Sequence, residues 1–319
     1  MTVNARGQFL CTVQANVPLC RDHYRLVLRV PSFPPTDPGQ FVQLSCRDVD
    51  EIDRVERELS WASQCPLELS DDTLLTPGAM LRRPFSLAGR RDVAGGVELD
   101  VIHRVVGIGT HWLSRLEAGE HLDVLGPLGN RFALPPAGAT AILVGGGVGI
   151  PPMLYLAEKL AGRSAAAFCG ALMRDLLPLT VVENVPPAGA VPMKSIQEFA
   201  RHGIPSVITT DDGSFGFRGF VTQALERHLD GALRGRAVVI YTCGPELMMK
   251  RVADIAAARG IECQIAVERA MACGMGTCQS CCIRVRKPDP AKPPLPGSEW
   301  CYRLACTDGP VFLGKDLLW

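Results

Sequence analysis

The sequence predicts a multi-domain β plus α/β protein: an antiparallel β-barrel, a parallel-sheet α/β domain and a small cysteine-rich C-terminal domain. Three observations predict it. Short β-rich runs separated by turn residues fill positions 1–135. Strand and helix patterns alternate after Pro135, Pro136 and Gly138. Near the end, Cys273, Cys278 and Cys281 stand in C-x4-C-x2-C spacing.

The barrel rests on runs at 9–13, 24–30, 41–44, 97–106 and 122–125. Most of the intervening chain has no helical period, which favours antiparallel closure. Pro31, Pro34, Pro35, Pro38 and Gly39 mark one loop, and the densely charged stretch within 47–80 reads as an insertion on the barrel surface. Strands are then expected at 140–144, 165–169, 206–210 and 237–243, with helices at 152–161, 221–229 and 246–259. Such alternation argues for a parallel sheet covered on both faces. The expected domains are 1–135, 136–262 and 263–319. The last is too short for a large core, so a metal centre would add the missing stability.

Composition narrows the function classes. The 319 residues carry 33 Lys+Arg and 33 Asp+Glu, so there is no global charge to hold nucleic acid or an anionic membrane. No apolar run reaches membrane-spanning length, and the N-terminus lacks the apolar core of a signal peptide. Most of the 13 cysteines lie singly, often in apolar surroundings as at Cys169 and Cys243. They read as reduced thiols of a cytoplasmic protein, not as a disulfide framework.

The cysteine spacing carries the most specific chemistry. C-x4-C-x2-C with a distant fourth Cys is the plant-type ligand pattern of a [2Fe–2S] cluster. Structural zinc usually shows two C-x2-C-like pairs instead. Gly274 and Gly276 let the loop wrap closely around the sulfurs. Cys282, Cys301 and Cys306 compete for the fourth place. Cys282 follows Cys281 at the start of an expected strand, so its side chain points to the other face and reads as a core thiol. Spacing does not separate Cys301 from Cys306.

A second motif, Gly145, Gly146, Gly147, Val148, Gly149, Ile150 and Pro151, follows an apolar strand and opens a helix. Its N–H groups suit a pyrophosphate, although Ile150 breaks the G-x-G-x-x-G fingerprint. Thr242, Cys243, Gly244 and Pro245 end another strand, where ligands bind in open α/β sheets, and Cys243 would approach a cofactor ring there. Arg83, Pro84, Phe85 and Ser86, with His103 to Thr110 downstream, suggest a flavin site beside the dinucleotide site. Met173, Arg174 and Asp175 hold both an Arg for a 2′-phosphate and an Asp for a ribose hydroxyl, so they leave NAD against NADP open.

Taken in order, these segments resemble the ferredoxin-reductase superfamily, and within it the electron-transfer subunits of NAD-dependent dihydroorotate dehydrogenases. The similarity runs through Arg83–Ser86, 102–110, 122–130, 145–152, 210–214, 243–245, 271–278 and 306–312. It implies a FAD-binding barrel, a NAD-binding sheet and a [2Fe–2S] domain. FAD would meet Arg83, Pro84, Phe85, Ser86, Ile102, His103, Arg104, Gly109 and Thr110. NAD(H) would meet Gly145, Gly146, Gly147, Gly149, Pro151, Cys243, Gly244 and Pro245. The cluster would be held by Cys273, Cys278, Cys281 and, on the closing motif Cys-Thr-Asp-Gly-Pro-Val-Phe, Cys306. The implied partner is an FMN-containing dihydroorotate dehydrogenase catalytic subunit, in a heterotetramer serving pyrimidine biosynthesis. Rival readings are an NAD(P)H-linked subunit of a ferredoxin, sulfide dehydrogenase or hydrogenase system, and a redox sensor without turnover. The 47–80 insertion and the long 281–306 spacing exceed the family pattern.

Overall fold

The computed structural model describes residues 6–48, 81–182, 190–286 and 299–319. The charged insertion lies almost entirely outside the described residues, as does the Pro-rich loop at 287–297.

Six strands close an antiparallel barrel. They are β1 (Gly7–Cys20), β2 (His23–Val30), β3 (Phe41–Leu44), β4 (Arg83–Val93), β5 (Gly96–Arg104) and, after helix α1 (Ile108–Ser114), β6 (His121–Leu128). Their order is β1-β2-β5-β4-β3-β6, with β6 returning to β1. Period-2 alternation decides the interior: Val97, Leu99 and Val101 of β5 join Leu26 and Leu28 of β2 in one core. β1 runs past the expected end at Val13 because register shifts after Val13 and Pro18 let it keep pairing with β2.

The second layer is a seven-stranded sheet. Its parallel strands are β7 (Thr140–Gly146), β8 (Ala165–Ala171), β9 (Ser206–Thr210), β10 (Phe217–Arg218), β11 (Val238–Cys243) and β12 (Glu262–Ala266). Between them lie α2 (Ile150–Lys159), α3 (Gln197–Ala200), α4 (Val221–Asp230) and α5 (Glu246–Ala258). Central β7 and β11 are buried along their whole length, as strands covered on both faces must be.

The C-terminal segment adds β13 (Cys282–Val285), β14 (Cys301–Leu304), β15 (Val311–Leu313) and β16 (Leu317–Leu318). β14-β13-β16 form a small sheet, while β15 pairs antiparallel with β12 at the edge of the large one. β12 spans the expected boundary at 262/263. The C-terminal segment does not depend on a metal centre alone for its core. Ile283, Val285, Ala305 and Leu317 pack into the same apolar cluster as α4 and α5.

Two contacts fix the parts to one another. Helix α2 lies on β4, and its Tyr155 belongs to the barrel core. The Tyr155 hydroxyl donates to the Thr36 carbonyl at 2.7 Å and meets the Thr36 hydroxyl at 2.7 Å. Asn130, just after β6, donates through Nδ2 to the carbonyls of Asp308 (3.0 Å) and Val311 (2.8 Å) and accepts the Val311 N–H at 2.8 Å. Tyr155→Phe should therefore lower stability by about 1–3 kcal/mol, since the Thr36 carbonyl loses a buried donor; chemical denaturation of the two proteins checks it.

Candidate functional site

The start of β4 and the end of β5 lie side by side because the two strands run antiparallel. The β4–β5 ladder begins at Leu87 and Val101. Arg83, Pro84, Phe85 and Ser86, just before it, pair with β3, Ile102, His103 and Arg104 continue β5 just after it, and α1 with Gly109 and Thr110 follows. The Phe85 ring meets His103 edge-on with centroids 6.0 Å apart, and Tyr24 stacks on the other side at 5.8 Å. His103 is buried, and among the described residues neither of its ring nitrogens nor the buried Arg104 Nε has a partner. Orphaned donors of this kind are rare in folded proteins, and they fit a polar ligand laid along β4 and β5. Arg83 donates to the Leu81 carbonyl at 2.8 Å and stays half-exposed, whereas Arg82 is committed to Asp123. Thr110 Oγ1 accepts the N–H groups of Val106 (2.9 Å) and Gly107 (3.1 Å), which shapes the entry to α1.

The glycine loop sits at the carboxyl ends of β7 and β11, where Gly145 is level with Cys243. Here the glycines divide into two kinds. A Cβ on Gly149 would lie 2.2 Å from the Cys243 carbonyl oxygen, so this glycine lets the two loops touch. A Cβ on Gly147, at φ +52°, would meet nothing within 4 Å. The backbone there faces open space, a cradle suited to a phosphate. The turn at 147–149 also touches β5, so the cradle adjoins the strand that carries His103. Pro151 opens α2, and Gly244 and Pro245 lead into α5.

Cys243 is buried, and burial above all pushes its thiol up to about 12. It is a neutral, buried thiol at the carboxyl end of β11, beside the glycine loop. Met173 and Arg174 follow β8; the Arg174 guanidinium stacks over Phe215 and its N–H donates to Ser214 Oγ at 2.9 Å. The Asp175 carbonyl accepts the Arg21 N–H at 3.0 Å.

In the cysteine loop, Cys273 Sγ accepts N–H groups from Met275 and Cys278, both at 3.4 Å. Hydrogen bonds from Ser280, then from Cys273, hold the exposed Cys278 thiol down to about 6. Cys306 lies against Cys281; burial first, then that neighbour, pushes its thiol up to about 12. Cys282 is exposed, contrary to the expected core thiol: β13 covers Ile283 and Val285, and Cys282 alternates to the open face with Arg284. Cys301 is carried on β14 opposite Val285. Among the described residues, no three Cys, His, Asp or Glu side chains converge on one point for a single ion. The thiols stand instead as two pairs, 273 with 278 and 281 with 306. That is a donor set for two irons and soft sulfur ligation.

Comparison with known proteins agrees with this geometry. Residues 268–318 match the family "Iron-sulfur cluster binding domain of dihydroorotate dehydrogenase B". The chain is 37% identical to the dihydroorotate dehydrogenase B (NAD(+)) electron transfer subunit of Geobacillus thermodenitrificans, covering 75% of this chain and 80% of that one. The chain belongs to this family. The Fusobacterium nucleatum family member is 28% identical over 96% of this chain and 97% of its own. Among solved structures, a chain of the NADH-dependent reduced ferredoxin-NADP oxidoreductase is 25% identical, with a TM-score of 0.67, covering 100% of this chain and 92% of that one. Ferredoxin-NADP+ reductase from Plasmodium falciparum, at 12% identity and TM-score 0.54, shares the fold. The dihydroorotate dehydrogenase B match at 268–318 takes in all four paired thiols together with Cys282 and Cys301.

Gln43 and Tyr155 belong to no motif, and neither Ser280, between Cys278 and Cys281, nor Asn130, within the 122–130 segment, carried an assigned role in the sequence. Each is an ordinary polar residue whose role appears only through contacts made across domains or within the folded loop.

Two outcomes follow from this geometry. Gly149→Ala should destabilise the protein by about 1–3 kcal/mol and weaken NADH binding, because a backbone must move. Gly138→Ala, at φ +80° with no atom near its Cβ among the described residues, should cost about 1–2 kcal/mol from backbone strain alone and leave NADH binding unchanged. Thermal unfolding and NADH titration of both variants check this. His103 is held down to about 4, by burial first and then by His23. Its folded value lies below the unfolded 6.5, so the unfolded chain binds more protons between these values. Stability is then full above pH 6.5 and falls by on the order of 3 kcal/mol as pH drops towards 4. His103→Phe should flatten that slope in pH-dependent unfolding.

Proposed function

We propose that this chain is the electron-transfer subunit of a dihydroorotate dehydrogenase, with three cofactor stations in series. FAD lies on the barrel along Arg83, Pro84, Phe85, Ser86, Ile102, His103 and Arg104, with its pyrophosphate at Gly109 and Thr110. NAD(H) lies over Gly145, Gly146, Gly147, Gly149 and Pro151, flanked by Cys243, Gly244 and Pro245. Cys273 and Cys278 ligate one iron of a [2Fe–2S] cluster, and Cys281 and Cys306 the other. When bound, FAD supplies the exchange between the two-electron hydride of NAD(H) and the single electrons of the cluster. The relatives' name supports NAD over NADP.

The observation that carries the reading is contiguity. The glycine-loop helix α2 is seated on β4, β4 pairs with β3, and β3 touches the cysteine loop. Each residue then has a limited task. The buried His103 accepts or donates one hydrogen bond as a neutral imidazole, Gly147 lets backbone N–H groups approach phosphate, and Phe85 and Tyr24 exclude water around the imidazole. The cytoplasmic partner is an FMN-containing catalytic subunit in a heterotetramer, and the pair serves pyrimidine biosynthesis. No helix among the described residues is long and apolar enough to cross a membrane.

The test is metal and flavin content of anaerobically purified variants. Cys306→Ser should lose the cluster while keeping FAD, and Cys301→Ser should keep both. The reverse pattern would contradict the ligand set, and absence of flavin in the parent protein would contradict the reading. Co-purification with a dihydroorotate dehydrogenase catalytic subunit, and not with a ferredoxin, checks the partner.

A further inference from the structure

We propose that Gln43 is a positioning residue for electron transfer, its buried amide joining the flavin strand to the cluster loop. The inference rests on the cofactor assignment above and names a residue which that assignment does not use.

The placement follows from alternation along β3. Val42 and Leu44 point into the barrel core, while Phe41 faces the core shared with the C-terminal segment. Gln43 therefore leaves the barrel on the same side as Phe41. In register it stands opposite Pro84 of β4, and Val42 stands opposite Phe85. Residues directly opposite in an antiparallel pair share a face, so Gln43 and Pro84 lie together on the outside of the barrel.

From there the side chain reaches the cysteine loop. Nε2 donates to the Ala272 carbonyl at 3.3 Å, and Ala272 is bonded to Cys273. The amide also lies flat against Gly274: a Cβ on that glycine would stand 2.7 Å from Oε1 and 2.8 Å from Cδ. Gly274 holds φ +67°. The loop beside the first ligand is thus shaped to receive this side chain.

A merely structural role accounts poorly for the residue type. Gln43 is fully buried, and among the described residues its Oε1 has no hydrogen-bond partner. A half-satisfied amide in a packed interface is less stable than a Met or Leu of similar size. Phe41 fills the neighbouring place on this face with an apolar ring. What an amide supplies and a hydrocarbon does not is a directional bond to the cluster loop.

That bond completes a continuous bonded route. It runs from the β4 flavin motif, through the β3–β4 ladder and the Gln43 side chain, to the Ala272 carbonyl and the Cys273 thiolate. Electrons tunnel more readily along covalent and hydrogen-bonded links than across gaps. Each transfer takes one electron from the two-electron-reduced flavin and turns one ferric iron ferrous; no bond between heavy atoms forms or breaks. Outer groups that orient a metal's ligands commonly change affinity or activity by about 10–100-fold when removed.

The experiment compares the parent protein with Gln43→Met and Gln43→Leu, each with FAD and iron quantified. Anaerobic stopped-flow mixing with NADH follows flavin bleaching. Rapid freeze-quench follows the EPR signal of the reduced cluster. The expected result is an unchanged flavin phase and a cluster phase slowed by about tenfold or more in both variants. The proposal is overturned if cluster reduction keeps the parent rate, or if both phases slow by the same factor. It is also overturned if neither variant retains FAD and iron, because Gln43 then serves the fold alone. A parent protein that lacks a reducible cluster defeats the cofactor assignment, and the inference with it.

Discussion

Asn130 is the constraint on which the rest of the arrangement depends. Its side chain fills the hydrogen-bonding capacity of the turn at 308–311, and its own N–H donates to the Gly309 carbonyl at 2.6 Å. One residue at the end of the barrel thereby fixes the return of the C-terminal segment. From that turn β15 proceeds to the edge of the large sheet, and Cys306, shortly before it, is brought against Cys281. The barrel exit is held in the same way. Gln264 of β12 exchanges hydrogen bonds with both backbone groups of Ala133, and the Tyr241 hydroxyl of β11 donates to the same carbonyl. Backbone groups left unpaired at such a junction would each be destabilising, so these side chains settle how three units meet.

Among the described residues, buried side-chain atoms without partners occur on Asn16, Gln43, His103, Arg104, Asp123, Thr209 and Thr242; some of these, though not all, lie along the proposed cofactor stations. His103 and Arg104 lie at the flavin strand, Gln43 at the cluster loop, and Thr242 beside the glycine loop. The buried charge of Asp100 is answered within the chain by Arg25 and Arg91. Burial tends to raise the Asp100 carboxyl, but those two guanidinium groups outweigh it and hold the group below the usual carboxylate range. Unsatisfied groups are tolerated where a ligand completes them.

Much of the fold was legible because its signals are local. β3 and β9 occupy the expected residues, and the apolar runs of β7 and β11 mark strands covered on both faces. β4 was harder. Its Arg-rich second half is partly exposed without period-2 alternation, so neither an apolar run nor a strand period announces it. β13 to β16 are two to four residues long and exist through pairing with distant partners; no propensity within so short a run specifies them. In the site, cysteine spacing pointed to the loop and left Cys301 and Cys306 level; the resemblance of the closing motif favoured Cys306, and the folded chain places it beside Cys281 while Cys301 lies on β14. Cys282 was misread because alternation gives the opposite face but does not say which face is covered. Gln43 and Tyr155 carry no motif, since their roles lie in partners far along the chain.

The central claim is that one chain passes electrons between a nicotinamide, a flavin and a cluster held in fixed relation. An anaerobic equilibrium titration of the parent protein with NADH tests it most directly, with flavin absorbance and the EPR signal of the reduced cluster recorded on the same samples. The account predicts that both signals respond to NADH and that the cluster takes up about one electron per chain. Flavin bleaching with no reduced cluster, in protein that holds its full iron, would contradict it.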